Sequence, residues 1–207
     1  MTKTIKVLLA DDHAIMRMGL SSLMETTRDI AVVGEADDGE SAVRKTLKLR
    51  PDVVIMDLMM PIMDGVEATA EIHRRLPGTK VIILTTFGTA DGIAHALNAG
   101  ASGALMKNVE YSKLLDAIRR IDRGERIISP EIEAHIAEHP PLPGLTPRQR
   151  EILKSITRGF TNADIAKQLG IRIDSVQEHI SAILLKLGAS TRSEAVAIVL
   201  RKHLLKI

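Results

Sequence analysis

The stretch Val53-Val-Ile-Met-Asp-Leu-Met-Met-Pro-Ile-Met-Asp-Gly65 decides how the first half of the chain is interpreted. Four apolar residues end at one carboxylate, Asp57, and Pro61 and Asp64-Gly65 follow it closely. A short, uninterrupted, β-branched run predicts a strand that is buried on both faces. Parallel α/β sheets bind their ligands at the carboxyl ends of such strands. Asp57 is therefore either a ligand-binding carboxylate or only the cap of the next turn, and this stretch leaves both interpretations open.

Further apolar runs lie on both sides of this stretch, and they alternate with segments of helical periodicity. The predicted strands cover residues 6–10, 30–33, 53–56, 81–84 and 103–106. The intervening helices end at breakers such as Pro51, Pro77-Gly78 and Gly100. Five strand–helix units within residues 1–125 predict an α/β domain with a five-stranded, doubly wound parallel sheet of the flavodoxin-like kind.

Polar residues follow four of the five predicted strands: Asp11 and Asp12, then Asp57, Thr85 and Lys107. These strand ends converge on one edge of such a sheet, so the five side chains are expected to share a pocket. Crowded carboxylates repel one another unless a cation lies among them, and hard oxygen ligands favour Mg²⁺. A carboxylate flanked by a metal and an ammonium suits a phosphoryl group, which makes Asp57 the candidate phosphoacceptor.

Residues 4 to about 124 resemble a two-component receiver domain in four motifs: Ala10-Asp-Asp-His13, Met56–Gly65, Leu84-Thr-Thr86 and Gly100–Lys107. The resemblance implies that a sensor histidine kinase phosphorylates Asp57. It also implies that Asp11 and Asp12 bind Mg²⁺, with Asp12, Asp57 and the main-chain carbonyl of Met59 as direct ligands.

The same resemblance makes Thr85 the switch hydroxyl and Lys107 the phosphate partner, and it reveals two departures. An aromatic residue usually stands three positions before the lysine, where this chain has Ala104, so the usual coupling between hydroxyl and ring is expected to differ. Apolar Met59 and Phe87 occupy the positions that tune the access of water to the aspartyl-phosphate in the family. They predict a long-lived phosphoryl form.

Charge and proline content divide the chain into two modules. Residues 1–125 carry a net charge of −2 and residues 145–207 a net charge of +6, so the second module suits a polyanion. A solvated basic face is the alternative interpretation. Residues 126–144 are expected to be a linker, with a short helix from Ser129-Pro130 and a spacer at Pro140-Pro-Leu-Pro-Gly144.

Composition excludes several classes of protein. The chain has no cysteine, which rules out disulfides and thiolate metal sites. It has no apolar run of membrane-helix length and no signal-peptide pattern, so we expect a soluble, cytoplasmic protein without membrane association. With one Tyr, two Phe and no Trp, a base-stacking platform for single-stranded nucleic acid is not expected.

Four short helices are predicted within residues 145–207. Thr146 and Gln149 predict a capping box at the first helix, and Thr191 is expected to cap the fourth, predicted over residues 193–203. Asp174 or Ser175 is expected to cap the third. The second and third helices, joined by a short turn with Gly170, predict a helix-turn-helix that reads DNA. An ordinary small helical bundle is the alternative.

The second module resembles the LuxR-type DNA-binding domain in Leu145–Leu153, Gly159–Ala166 and Ser175–Leu187, and the order of modules matches the NarL/FixJ family. The resemblance implies binding to double-stranded DNA and a phosphorylation-dependent homodimer. The recognition helix usually reads Thr-Val-Lys-x-His, but here Gln177 and Glu178 stand in it, so base readout is expected to shift. The candidate DNA contacts are Ser175, Gln177, Glu178, Ser181, Lys186, Arg192, Lys167 and Arg172.

The sequence therefore predicts a phosphorylation-switched transcription regulator and not an enzyme. An aspartyl-phosphate phosphatase would need an acid/base carboxylate at the position of Met59. The alternative is an atypical regulator that acts without phosphorylation and has altered DNA or partner specificity, as Ala104 and Gln177-Glu178 would allow. Val196, Val199 and Leu200 of the last helix are either a dimer interface or part of the module's core.

Overall fold

Six parallel strands form the centre of the first half of the chain in the computed structural model, which describes residues 3–86, 90–138 and 145–201. They are β1 (Ile5–Ala10), β2 (Ile30–Ala36), β3 (Val53–Met56), β4 (Lys80–Thr85), β5 (Gly103–Met106) and β6 (Ile127–Ile128). The strand order is β2-β1-β3-β4-β5-β6, and every neighbouring pair is parallel. Every residue of β3 and β5 is buried, as their apolar sequences predict.

The helices of this half are α1 (Ala14–Met24), α2 (Gly39–Leu49), α3 (Gly65–Arg75), α4 (Ala90–Asn98), α5 (Tyr111–Asp122) and α6 (Pro130–Glu138). Alternate residues of each strand point to opposite faces of the sheet, so Leu8 and Leu9 of β1 belong to two different apolar cores. One core includes Ile72 of α3, and the other includes Ile118 of α5. Helices cover both faces, which confirms the doubly wound prediction.

The prediction of five strands is wrong by one, because β6 extends the sheet beyond β5. The main-chain N–H of Ile127 donates to Ser102 O at 3.2 Å, and that of Ser129 donates to Ala104 O at 3.0 Å. A strand of two residues is too short to show a period of two, so its pairing depends on the register against β5 rather than on its own sequence.

Helix α6, which we expected within a linker, packs on the first half of the chain. Ile132 is 1% exposed and lies in the same core cluster as Ile93, Ala104 and Met106. The chain divides into two compact units, Met1–Pro140 and Pro141–Ile207, so β6 and α6 belong with the sheet. The proline-rich segment 140–144 lies outside the described residues.

The described part of the second unit contains α7 (Pro147–Thr157), α8 (Asn162–Leu169), α9 (Ile173–Leu187) and α10 (Arg192–Arg201). Its core is formed by buried aliphatic residues from all four helices, among them Leu153, Ile165, Ile183 and Val199. Burial of Val199 makes it a core residue rather than an interface residue, whereas Leu200 is 50% exposed. Residues beyond 201, where we expected α10 to end, lie outside the described residues.

The helix caps of the second unit agree with those predicted from the sequence, with one exception. Thr146 and Gln149 form the predicted capping box, and Gly170 and Gly188 have positive φ angles at the ends of α8 and α9. The expected cap of α9 is wrong, because Arg172 is the N-cap residue and its side chain makes no cap bond. Asp174 already lies in the first turn, where its carboxylate pairs with Arg172 at 2.9 Å.

Candidate functional site

The turn after β1 carries two carboxylates and a histidine. Asp11 is 4% exposed, its main-chain N–H donates to Ala36 O at 3.1 Å, and its carboxylate accepts from His13 N at 2.8 Å. Asp12 is more exposed, and one of its carboxylate oxygens lies 2.7 Å from His13 Nδ1. The end of β2 and the start of α1 therefore fix Asp11 at the edge of the sheet.

Asp57 follows β3 at the same edge, beside Asp11. It is 5% exposed, and its main-chain N–H donates to Ala10 O at 2.8 Å. The ammonium of Lys107, which follows β5, lies 2.9 Å from Asp57 Oδ2 and 2.6 Å from Asp11 Oδ2. One lysine thus bridges two carboxylates that are almost completely buried.

Burial and charge act in opposite directions in this pocket. Burial raises the pKa of Asp57, although the hydrogen bonds from Lys107 and from the main-chain N–H of Met59 oppose the rise. Asp11 raises the pKa of Asp57 further, because two negative charges repel. Burial lowers the pKa of Lys107, but its bonds to both carboxylates outweigh that effect and leave its pKa raised. The pocket holds more negative charge than its ammonium neutralises.

The donor set fits a hard divalent cation. One ligand atom each from Asp11, Asp12, His13 and Asp57 lies within 4.8 Å of the others. Carboxylate oxygens are the ligands that Mg²⁺ prefers, and excess negative charge in a small space favours its binding. His13 was not among the residues that we predicted for this site, although its position directly after two aspartates is visible in the sequence.

Thr85 and Ala104 are placed differently with respect to the pocket. Thr85 ends β4, is 1% exposed, and accepts a hydrogen bond at its main-chain oxygen from Lys107 N at 2.6 Å. Ala104 lies inside β5 between Ile83 and Ile128 of the neighbouring strands, in the core that Ile132 completes. Ala104 therefore packs under α6, and Phe87 lies outside the described residues.

The loop after Asp57 is held close to it. A Cβ atom on Gly65 would lie 2.1 Å from the main-chain oxygen of Asp57, so only glycine fits there. Met63 N donates to Pro61 O at 2.7 Å across Ile62, whose φ angle is +67°. This is a γ-turn with a left-handed central residue, a strained conformation for a β-branched side chain. Ile62 is also 80% exposed.

A groove of about 460 Å³ opens beside the pocket between α1 and α5. His13, Thr86 and Lys107 lie at the end of the groove that borders the carboxylates, and Tyr111 and Leu114 of α5 form one wall. Tyr111 is half-buried, and burial raises the pKa of its hydroxyl. The acidic pocket and the first turn of α5 are therefore neighbours.

Helices α8 and α9 have the geometry of a helix-turn-helix, with three residues between them. Gln177, Glu178 and Ser181 are exposed on α9, as are Lys167 on α8 and Arg172 in the turn, while Ser175 is half-buried. An exposed helix face preceded by a short turn can enter a major groove.

Besides Arg172, which pairs with Asp174, two of the predicted DNA contacts, Lys186 and Arg192, bond to other helices of the second unit. Lys186 Nζ donates to Gln149 Oε1 at 2.9 Å, which links the end of α9 to the capping box of α7. Arg192 donates to Asn162 Oδ1 at 2.9 Å and to the main-chain oxygen of Phe160, which links α10 to the start of α8. Replacement of either residue would therefore disturb packing as well as any phosphate contact.

Among the helices that the structure describes, none has the length and apolar character required to cross a membrane.

The two parts of the chain match two known families. Residues 7–119 match the response regulator receiver domain, and residues 143–199 match the luxR family of bacterial regulatory proteins. These ranges contain the acidic pocket and the helix-turn-helix, respectively.

Similar proteins share this organisation. The response regulator protein VraR of Staphylococcus aureus is 39% identical over 98% of this chain and 100% of its own length. The crystal structure of ChrA, a response regulator of a heme-sensing two-component system, is 35% identical, covers 98% of this chain and 99% of its own, and has a TM-score of 0.59. A structure of RcsB dimers bound to DNA, with 24% identity over 95% of this chain and 98% of its own, shares the fold with a TM-score of 0.64. With both domain families matched in this order, the chain belongs to the two-component response regulators that join a receiver domain to a LuxR-type DNA-binding domain.

Proposed function

We propose that a sensor histidine kinase phosphorylates Asp57 and that phosphorylation controls sequence-specific DNA binding by α9, and thereby transcription. The observation that carries this proposal is the bridge from Lys107 to Asp57 and Asp11 inside an acidic pocket. The bridge places a buried carboxylate, a second carboxylate and an ammonium at one sheet edge, as phosphoryl transfer requires.

Each residue of the pocket has a distinct role in the proposed transfer. A carboxylate oxygen of Asp57 attacks phosphorus, the bond from phosphorus to the kinase histidine breaks, and an oxygen–phosphorus bond forms. Lys107 then exchanges a carboxylate oxygen of Asp57 for a phosphoryl oxygen, and the Thr85 hydroxyl donates to another. Bound Mg²⁺, held by Asp11, Asp12, Asp57 and the Met59 carbonyl, would offset the charge on the phosphoryl oxygens.

The DNA-binding role rests on the exposed face of α9. Gln can pair bidentately with adenine and Glu can accept from cytosine N4, so Gln177 and Glu178 are proposed to read bases. Exposed Lys167 and Arg172 are proposed to contact phosphates, and Ser175, Ser181, Lys186 and Arg192 complete the surface. The fold is shared with RcsB dimers bound to DNA, and we propose that this chain also binds a two-fold site as a phosphorylation-dependent homodimer.

One experiment tests the proposal on the full-length chain. Wild type and Asp57→Ala are incubated with acetyl phosphate and Mg²⁺, and intact mass, sedimentation and binding to DNA selected from random sequence are measured. We expect the wild type to gain one phosphoryl group, to dimerise and to bind DNA more tightly, and Asp57→Ala to do none of these. Absence of the mass increase in the wild type would reject the phosphoacceptor role.

A second function is favoured by the burial of Ala104 beneath α6. With Ala104 in place of the usual aromatic residue, the coupling between the Thr85 hydroxyl and a ring is absent. On this alternative, the protein regulates transcription without phosphorylation. In the same experiment, phosphorylation of Asp57 with unchanged sedimentation and DNA binding would select this alternative.

A further inference from the structure

Arg17 connects the acidic pocket to the neighbouring strand without touching a pocket carboxylate. It lies one turn into α1, and its side chain is 16% exposed. Its Nη1 donates to the main-chain oxygen of Asp11 at 2.6 Å, and its Nε donates to Glu35 Oε2 on β2 at 3.2 Å. The ammonium of Lys45 on α2 donates to the main-chain oxygen of Glu35. Arg17 thus joins the Asp11–Asp12 peptide group to the Glu35 side chain of β2, and Lys45 separately bonds the main chain of Glu35.

That peptide group links Asp11 to Asp12, and its orientation determines the direction in which the Asp12 side chain leaves the main chain. The N–H of Asp11 is held by Ala36, and its carboxylate accepts from His13 N. With the carbonyl held by Arg17, the peptide plane between the two aspartates cannot rotate freely. The Asp12 side chain itself is 33% exposed and is bonded to His13, whose side chain is 72% exposed, so its direction depends mainly on the backbone.

We propose that Arg17 is a positioning residue for the divalent-cation site and acts through the Asp11–Asp12 peptide group. This inference rests on the proposed function, because it concerns the cation that phosphorylation of Asp57 needs. Mg²⁺ demands near-ideal octahedral geometry, so a small rotation of the Asp12 carboxylate costs affinity. Mutation of a residue that holds a metal ligand in its orientation typically lowers metal affinity by about 10- to 100-fold.

The guanidinium is needed for its shape as well as its charge. Nε and Nη1 reach two acceptors on different elements in a fixed fork, whereas a lysine ammonium lies at the end of a flexible chain. Arg17→Lys should therefore keep the charge and lose one of the two contacts. Glu35→Gln should keep Arg17 bonded to Asp11 and weaken only the support from β2.

The test compares full-length wild type with Arg17→Ala, Arg17→Lys and Glu35→Gln. Arg119→Ala is the matched control, because Arg119 makes a similar part-buried pair with Asp29, at 2.6 and 3.0 Å, away from the pocket. Mg²⁺ binding is measured by calorimetry. The rate of phosphorylation by acetyl phosphate is measured as a function of Mg²⁺ concentration.

We expect the Mg²⁺ concentration for half-maximal rate to rise about tenfold in Arg17→Ala, less in Arg17→Lys, and least in Glu35→Gln. At saturating Mg²⁺ the rate of Arg17→Ala should return close to that of the wild type. Arg119→Ala should lower the unfolding temperature and leave the Mg²⁺ dependence unchanged.

Two results would overturn the inference: wild-type Mg²⁺ affinity in Arg17→Ala, or a rate loss that saturating Mg²⁺ does not restore. If Arg17→Ala fails to fold, Arg17→Lys and Glu35→Gln decide between the same outcomes. A wild type that accepts phosphoryl while all variants match its Mg²⁺ dependence rejects only the role of Arg17. A wild type that neither binds Mg²⁺ nor accepts phosphoryl rejects the proposed function as well.

Discussion

At the scale of single residues, the pocket depends on the charge of Lys107. Its ammonium is the counter-charge to Asp11 and Asp57, both about 95% buried. Removal of one partner of a buried ion pair leaves uncompensated charge, which typically costs about 3–5 kcal/mol. An exposed ion pair, by contrast, contributes about 0–1 kcal/mol.

Lys107→Ala should therefore lower the free energy of unfolding by about 3 kcal/mol at neutral pH without divalent cations. Lys113→Ala is the matched control, because Lys113 pairs with Glu110 at 3.4 Å with both side chains exposed, and its loss should cost less than about 1 kcal/mol. Urea unfolding followed by circular dichroism measures both. Equal losses in the two variants would show that the carboxylates do not depend on Lys107.

The raised pKa of Asp57 makes stability depend on pH. Because its pKa is higher in the folded chain, the folded state binds a proton that the unfolded state has already released. Stability linked to this group is therefore fully present below the unfolded pKa, about 3.8, and is lost as pH rises through the folded pKa. Asp57→Asn removes the buried charge but leaves Lys107 paired with Asp11, so this variant should melt at a higher temperature than the wild type at neutral pH without divalent cations.

The difference in melting temperature between Asp57→Asn and the wild type should shrink as the pH falls toward 4. Thermal unfolding at several pH values measures it. A difference that stays constant with pH would show that ionisation of Asp57 is not its source.

At the scale of elements, the sequence predicted the local structure where a pattern is complete within one segment. The bounds of β3 and β5 agree with the prediction, since each apolar run ends at a charged residue, Asp57 or Lys107. The strand ends also brought Asp11, Asp57 and Lys107 together, because parallel topology alone places them at one edge. The sequence analysis missed two features that depend on contacts between distant segments. Strand β6 is defined by its pairing with β5, and Arg17 of α1 bonds to Glu35 on β2.

The contact between β5 and α6 gives a prediction of its own. Ala104 and Ile132 are both at most 1% exposed in one core, so an aromatic ring at position 104 would overfill it. Ala104→Phe should lower the free energy of unfolding by about 1–3 kcal/mol. Ile132→Ala should cost about 2–4 kcal/mol. The double variant should lose less than the sum, because the ring enters the space that Ile132 leaves.

Ala117→Phe provides the control for this cycle, because Ala117 is 2% exposed in the core on the other face of the sheet. It should be destabilising and additive with Ile132→Ala. Chemical unfolding of the five variants gives the coupling energy. If the losses of stability were additive in both cycles, Ile132 of α6 would not occupy the space that an aromatic ring at position 104 needs.

At the scale of the whole molecule, charge separates the two units. The mildly acidic receiver carries the proposed phosphoacceptor, and the basic residues 145–207 carry the helix-turn-helix. Affinity of the second unit for DNA should fall as salt rises, because each neutralised phosphate releases counterions. We expect the exposed basic residues to set that dependence and the polar face of α9 to set the choice of sequence.

Lys167→Ala should weaken binding to all DNA sequences alike and reduce the slope of log affinity against log salt by about one. Lys167 suits this test better than Lys186, whose ammonium is bonded to Gln149. Gln177→Ala should leave the slope unchanged and relax sequence choice. Fluorescence anisotropy with labelled DNA at several salt concentrations measures the slope and the sequence preference of both variants. If Gln177→Ala reduced the slope and Lys167→Ala relaxed the sequence choice, the two assignments would be reversed.

The position of Tyr111 has an optical consequence. The chain contains one tyrosine and no tryptophan, so its near-ultraviolet emission comes essentially from a single ring at the start of α5. That ring lines the groove in which Lys107 also lies. Any rearrangement of Lys107 on arrival of a phosphoryl group therefore takes place beside the molecule's own chromophore. The DNA-binding unit contributes no tyrosine signal, so the unlabelled protein reports on its receiver alone.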